Sequence, residues 1–248
     1  MQDLKKKISV LEIKPVLAAI LVGENKASEL YASLKERVGK SIGVKLKVYK
    51  FNKRAKEKDI IQKIKELNED GLISGIIVQL PLPERLNQDR IVGAITPSKD
   101  VDGFLRNSPF PPVLPSAVFI ALKKAAKSLT NKKILALVNS DIFGRTLKDF
   151  LAEKKIKADY FLRESAPEEE IKLADAVITV CGFPGLITGD MVKKGVIVAD
   201  AGFPSDVDAE SIKKKASFLT PSPGGIGPLT VALLLKNTYL AQKYGKNN

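Results

Sequence analysis

The chain has no histidine and a single cysteine, Cys181. Proton transfer must therefore fall to Lys, Tyr, Asp or Glu, and Ser-His-Asp triads, Cys/His zinc sites and disulfide frameworks are excluded together. Against that background Tyr31 and Lys35 stand out. They are four residues apart, which makes them neighbours on one helix face. Around them Ala27, Leu30, Leu34, Val38 and Ile42 fall on one stripe of period ~3.6, so a phenol and an ammonium converge beside a core. Desolvation there disfavours the charged lysine and moves its pKa toward the range useful for general acid–base work. A half-buried Tyr beside a snorkelling Lys is the plain structural alternative.

Other polar groups occupy places where open α/β sheets bind ligands, outside the carboxyl ends of strands. Gln79 leaves the apolar run Ile76-Ile77-Val78 just before Leu80-Pro81-Leu82-Pro83, and a buried amide must be satisfied by its loop or by a ligand. Asp100 and Asp102 precede Gly103; alone this is an ordinary Asp-Gly turn. Later, Asn139-Ser140-Asp141-Ile142-Phe143-Gly144-Arg145-Thr146 follows an apolar run. Ser140 or Asp141 can cap a helix whose free N–H groups suit a phosphate. No G-x-G-x-x-G is present and Gly144 stands alone, so spacing leaves a dinucleotide site undecided. Further on comes Leu162-Arg163-Glu164-Ser165. Glu164 there would accept from a ribose 2′-hydroxyl and favour NAD, whereas Arg163 or Ser165 would favour the 2′-phosphate of NADP. Cys181 has no cationic neighbour in sequence and reads as a small buried residue rather than a nucleophile.

These residues need strands to carry them. Apolar β-branched runs at 16–22, 44–51, 73–80, 134–138, 158–162, 176–180 and 196–201 alternate with helical patterns, which predicts βαβ units and a largely parallel sheet. The Pro-rich stretch 109–115 breaks the rhythm. The expected architecture is α/β with two domains. One is an N-terminal α/β catalytic domain, residues 1–114 with a helix over 229–248 packing back, and the other is a Rossmann-like parallel-sheet domain over 115–228. That helix is expected to begin after Pro228. The net charge of +13 favours anionic partners. Its lysines are scattered and no Trp is available for base stacking, so the charge reads as solvated surface, with a nucleic-acid-binding protein as a minor alternative. The apolar stretch near 15–22 is too short for a bilayer and the first residues lack a signal-peptide run. No membrane partner and a cytoplasmic location are expected.

Three stretches, Gly75-Ile76-Ile77-Val78-Gln79-Leu80-Pro81-Leu82-Pro83, Lys99-Asp100-Val101-Asp102-Gly103-Phe104 and Pro221-Ser222-Pro223-Gly224-Gly225-Ile226-Gly227-Pro228-Leu229-Thr230, resemble the signatures of the bifunctional methylenetetrahydrofolate dehydrogenase/methenyltetrahydrofolate cyclohydrolase family, in family order. Val22-Gly23 with Ala27-Ser28 and Tyr31-x-x-x-Lys35 resembles its substrate helix; Gly182-Phe183-Pro184-Gly185 with Gly189-Asp190-Met191 resembles its cofactor-domain stretch. The resemblance implies that Lys35 is the catalytic lysine, that Gln79 orients it, and that Tyr31 and Asp102 meet the pterin. Val78, Leu80, Pro223, Gly224, Gly225, Ile226 and Gly227 would complete the folate contacts. Val138, Asn139, Ser140, Gly144, Arg145, Arg163, Ser165, Gly182 and Phe203 would hold the coenzyme, NADP by default with NAD close behind and no metal. It further implies a polyglutamylated folate substrate, a 10-formyl product that feeds purine biosynthesis, and a homodimer. The chain departs from the family where Val138, Asn139 and Thr146 replace a Gly, an Arg or Ala, and a Pro. That leaves a cyclohydrolase-only enzyme or a folate-binding protein as the alternative. The segment 107–117 is short, and the family's leading strand and helix are expected to be trimmed.

Overall fold

The computed structural model describes residues 1–23, 26–165 and 167–245; the side chains of 26–28, Ala27 of the apolar stripe and Ser28 among them, lie outside the described residues. The chain divides into two compact units, Met1–Val113 together with the chain from Val231 on, and Leu114–Thr230.

The first unit is built on a three-stranded parallel sheet in the order β2-β1-β3, comprising β1 (Val16–Val22), β2 (Lys45–Phe51) and β3 (Gly75–Val78). Central β1 is the most apolar run and is buried from Leu17 to Val22. Edge strand β2 carries Lys45, Lys47 and Lys50, charges that keep an unpaired edge in water. The parallel crossovers are α2 (Lys26–Ile42) and α3 (Glu57–Glu69), as parallel strands require. The short helix α4 (Gln88–Gly93) follows β3.

The chain opens on a short helix, α1 (Gln2–Ser9), which Leu4 and Ile8, one turn apart, anchor in the core. Two expectations need correction here. Strand β3 is shorter than 73–80. Ile73 and Ser74 are buried just ahead of the first ladder pair, where Ser74 N–H donates to the Val16 carbonyl (2.9 Å) and its hydroxyl accepts from Val16 N–H (2.9 Å) and donates to Gln242 (2.7 Å). Burial alone therefore overstated the strand. On α2 Ile42 is buried and Leu34 and Val38 pack against the same core as their period predicts, with Ala32 and Gly39 also buried, while Leu30 is 56% exposed. Small residues turn inward because the helix lies close: a Cβ on Gly39 would sit 3.1 Å from the Val44 carbonyl. That rotation sets Lys35 in line with the buried face.

The last helix, α9 (Ile226–Tyr244), supplies Val231, Leu234, Leu235 and Tyr239 to the same core as Leu17, Ala19 and Ile77. It begins three residues before the expected 229. Pro228 lies in its first turn, where a missing N–H breaks no intrahelical bond.

The second unit carries five parallel strands in the order β5-β4-β6-β7-β8: β4 (Ile134–Val138), β5 (Ala158–Leu162), β6 (Ala176–Val180), β7 (Ile197–Asp200) and β8 (Phe218–Leu219). Helix α5 (Val113–Ala125) precedes them, and α6 (Asp141–Glu153), α7 (Glu168–Leu173) and α8 (Ala209–Lys213) connect them. Strand β7 is shorter than 196–201, and two-residue β8 was too brief to leave a period in sequence. The strand order reverses on either side of β4, the place where doubly wound sheets open a crevice for a ligand. Leu135, Leu137, Val177 and Val198 fill one side of the sheet; burying such a side chain contributes roughly 1.5–3 kcal/mol. Among the described residues no helix is long and apolar enough to cross a membrane.

Candidate functional site

In the first unit the structure brings Lys35, Gln79 and Asp102 together. Lys35 Nζ donates to Gln79 Oε1 at 2.8 Å, and the amide is held from its other end by Nε2 donating to the Leu80 carbonyl at 3.2 Å. Burial holds the Lys35 pKa below its usual 10.5, while the charge of Asp102 pulls it back up. Burial pushes Asp102 up to about 6 against the opposing pull of Lys35, and Asp100 adds to the rise. The site thus holds a lysine that burial makes readier to release its proton than a free one, beside a carboxylate still mostly ionised near neutral pH. Tyr31 lies half-buried one turn before Lys35 on the same helix. Val78 is buried, so its main chain is the part left to meet a ligand; Leu80 is half-buried.

The six-residue motif around Asp102 divides its labour. Lys99 donates to the carbonyls of Leu67 and Asp70, both at 2.8 Å, a cation at the carboxyl end of α3 where the helix dipole favours it. Asp100 is fully buried and accepts from Gly103 N–H (3.1 Å) and Leu105 N–H (2.8 Å), which ties the turn shut. Val101 fits over β3 because Gly75 has no side chain; a Cβ there would lie 2.5 Å from Val101 Cγ1. Gly103 has φ +74° and a Cβ on it would meet Pro112 at 2.7 Å, so only glycine fits. Asp102 is what remains for chemistry: among the described residues its carboxylate makes no hydrogen bond, a vacancy suited to an N–H-bearing ligand edge.

This geometry makes Gln79→Glu informative. A carboxylate in place of the amide oxygen favours the protonated lysine. The pH at which hydrolytic activity reaches half its maximum should move upward by about one unit. A pH–rate profile checks it; an unmoved profile would mean that the titrating group is not Lys35.

In the second unit the loops after β4, β5 and β6 lie side by side because β4 pairs with both neighbours. Asn139 Nδ2 donates to the Cys181 carbonyl at 3.4 Å, and the Arg163 guanidinium lies 4.9 Å from the Phe183 ring centre, within cation–π range. Arg163 also pairs with Glu164 at 2.6 Å, and Ser165 donates to the Leu162 carbonyl at 3.1 Å. Gly182 has φ +69° and abuts the Phe203 carbonyl, 2.8 Å from where a Cβ would lie, which brings two further candidates together. Ser140 is the buried N-cap of α6 without a side-chain cap bond, and Arg145 pairs with Asp141 at 2.9 Å. Val138 is wholly buried in β4. Gly144 takes a different part from the one expected. Its N–H is spent on the Ser140 carbonyl (3.0 Å) and its Cβ would fall 2.3 Å from the Tyr160 ring. It lets α6 lie close on β5, the packing role of a fingerprint's third glycine. Burial pushes the Cys181 thiol up to about 12, which makes it inert.

The stretch 223–227 is a loop only to Gly225. Gly224 has φ +103°, a Cβ on Gly225 would meet the Pro221 carbonyl at 2.4 Å, and Ile226 and Gly227 already belong to α9. Ile226 is 2% exposed, so its side chain serves the core. Sequence reading passed over Asp206 and Asn237, buried polar residues whose partners lie far off along the chain.

Residues 1–102 match the tetrahydrofolate dehydrogenase/cyclohydrolase catalytic domain, and residues 112–246 match the NAD(P)-binding domain of the same family. The bifunctional protein FolD of Thermodesulfovibrio yellowstonii is 36% identical over 99% of this chain and 93% of its own length. The crystal structure of the bifunctional FolD methylenetetrahydrofolate dehydrogenase/cyclohydrolase from Campylobacter jejuni superposes with a TM-score of 0.83 at 35% identity, covering 98% of this chain and 94% of that one. The Trypanosoma brucei enzyme, solved with NADP and an inhibitor, gives 0.85 at 27% identity over 100% and 94%.

Proposed function

Because the chain belongs to the tetrahydrofolate dehydrogenase/cyclohydrolase family, we propose a division of labour in which its first unit binds and hydrolyses the folate and its second holds the coenzyme. The enzyme oxidises 5,10-methylenetetrahydrofolate with NADP and hydrolyses the resulting 5,10-methenyl compound to 10-formyltetrahydrofolate. The observation that carries the assignment of residues is the Lys35–Gln79 hydrogen bond beside a desolvated Asp102 whose charge meets that of Lys35.

Asp102 accepts from the amino edge of the pterin, for which its free oxygens and mostly ionised state near neutral pH suit it. Oxidation removes the methylene hydrogen as hydride and leaves a cation; a lysine with a depressed pKa repels that cation less than a permanent charge would. In hydrolysis water adds to the amidinium carbon. Lys35, as free amine, takes a proton from that water. As ammonium it then returns one to the ring nitrogen whose bond to the carbon breaks, while the added hydroxyl releases its proton to solvent as its oxygen becomes the carbonyl of the formyl group left on the other nitrogen. Gln79 keeps Nζ aimed throughout.

The second unit fits a dinucleotide. The first turn of α6 presents N–H groups without intrahelical acceptors, Gly182 opens backbone that a side chain would block, and Arg163 and Ser165 stand where a 2′-phosphate is read. When bound, the nicotinamide accepts the hydride. Arg163→Ala should raise KM for NADP about tenfold through loss of one charge-assisted hydrogen bond, and leave that for NAD within about twofold. Equal effects on both coenzymes would remove Arg163 from this role. We also read the protein as a cytoplasmic homodimer acting on polyglutamylated folate and supplying formyl groups for purine biosynthesis. The scattered positive charge supports attraction of an anionic tail.

The test is an absorbance assay with methylenetetrahydrofolate and NADP or NAD, and separately with methenyltetrahydrofolate. Coenzyme reduction and methenyl hydrolysis are both expected. Hydrolysis without reduction would mean that the substitutions at Val138, Asn139 and Thr146 have cost the redox half.

A further inference from the structure

Asparagine is a poor residue for the interior of a helix, and burying its amide is unfavourable unless every polar atom finds a partner. Asn237 nevertheless lies within α9 at 2% exposure, among Leu234, Leu235 and Tyr239. Its Nδ2 donates to two main-chain carbonyls from separate loop segments, Val101 at 2.9 Å and Pro111 at 3.1 Å. Those segments are also joined directly, by Val113 N–H donating to the Asp102 carbonyl at 3.0 Å, and Gly103 fits against Pro112. Val101 is fully buried over Gly75 of β3. The residue carrying the free carboxylate therefore has its preceding carbonyl tied to α9 and its own carbonyl tied to the facing segment.

We propose that Asn237 is a positioning residue for folate recognition: by bridging the Val101 and Pro111 carbonyls it fixes the peptide that carries Asp102, and with it the place of the Asp102 carboxylate beside Lys35. This rests on the reading of Asp102 as the folate anchor. The alternative source of order in this loop, the carboxylate of Asp100, closes the turn internally and does not tie it to another element through its side chain. Asn237 supplies that tie across 136 residues of sequence. Because it acts through Asp102, its loss should be felt in folate binding and in the pH dependence of hydrolysis, and not in coenzyme binding.

The experiment is a double-mutant cycle on the full chain with Asn237→Ala, Asp102→Asn and the double variant, and with Asn237→Ser, which keeps a single donor and serves if the alanine variant fails to fold. Asn237→Ala should raise KM for methylenetetrahydrofolate about tenfold, as expected for loss of two buried hydrogen bonds. KM for NADP should stay within about twofold, the pH profile of hydrolysis should shift, and Asn237→Ser should fall between wild type and alanine. In the Asp102→Asn background the same change should add less than about twofold. Full additivity with Asp102→Asn clearly impaired would overturn this inference alone. So would a lowered melting temperature with folate KM unchanged. If Asp102→Asn leaves folate KM unaltered, the reading of Asp102 falls, and this inference with it.

Discussion

Replacing Lys35 by methionine is expected to lower methenyltetrahydrofolate hydrolysis by about 10²–10⁴-fold, the usual contribution of a positioned acid–base group, while the protein stays folded. Methionine has nearly the length of lysine and tolerates the half-buried site, so the change removes the amine without leaving a large void. The loss should have two parts. The chain has no histidine to take over the proton, Gln79 does not titrate, and Asp102 is engaged with the pterin edge. In addition, the Lys35 charge holds Asp102 down. Without it the carboxyl rises above about 6, is more often protonated near neutral pH, and grips the pterin less, so KM for folate should rise as well. Hydride transfer depends mainly on positioning, so the oxidation should keep a measurable kcat. Lys35→Arg separates the parts, because arginine restores the positive charge beside Asp102 but cannot give up its proton. It should recover folate KM and leave hydrolysis lost. Retained hydrolysis in Lys35→Met, with an unchanged circular dichroism spectrum, would sink the role given to this lysine.

Strands β4, β5 and β6 and the helix that carries Lys35 were legible because their information is local. β4, β5 and β6 are runs of branched and aromatic residues whose bounds match the ladder residue for residue. The bounds of β3 were not legible, because Ile73 and Leu80 continue the apolar pattern into segments outside the strand. On α2 Leu34, Val38 and Ile42 face the core as their period predicts but Leu30 does not, for a related reason: period identifies a stripe, but the close approach permitted by Ala32 and Gly39 decides which way the helix turns. Of the site, Lys35 and Gln79 could be named from type and place, yet the bond between them spans 44 residues. Nothing local distinguishes Asp102 from Asp100; the hydrogen bonds that occupy Asp100 make the difference. Buried polar anchors such as Asn237 and Asp206 are the least legible class, since each looks like an ordinary surface residue until its distant partners are known.

Asp206→Ala is expected to destabilise the second unit by about 2–5 kcal/mol, because two part-buried N–H groups lose a charged acceptor at once. Asp206 Oδ2 accepts from Cys181 N–H at 2.8 Å and Oδ1 from Phe183 N–H at 2.7 Å, so one carboxylate pins the loop that holds Gly182. The surroundings leave no room for an easy substitute. A Cβ on Gly202 would already lie 2.3 Å from this carboxylate, and the neighbouring Asp200 is occupied by Ser205 at 2.6 Å and Thr179 at 3.1 Å. Asparagine should do little better than alanine, since one end of its amide would turn a donor toward a donor. On a chain of this size the melting temperature should fall by roughly 5–15 °C. KM for NADP should rise as the loop loosens, while methenyl hydrolysis per folded molecule is kept, its groups belonging to the first unit. The pH dependence gives a second check. Burial and then Asp200 raise the Asp206 pKa above its ordinary 3.8, against the pull of its hydrogen bonds. Between 3.8 and that raised value the folded state binds more protons than the unfolded, so stability rises as pH falls through this window. The alanine variant lacks the group and its gain. The gap between wild type and Asp206→Ala should therefore widen on acidification toward 3.8, and a gap that narrows would show that the carboxylate is held in its charged form by its two N–H donors more strongly than burial opposes it.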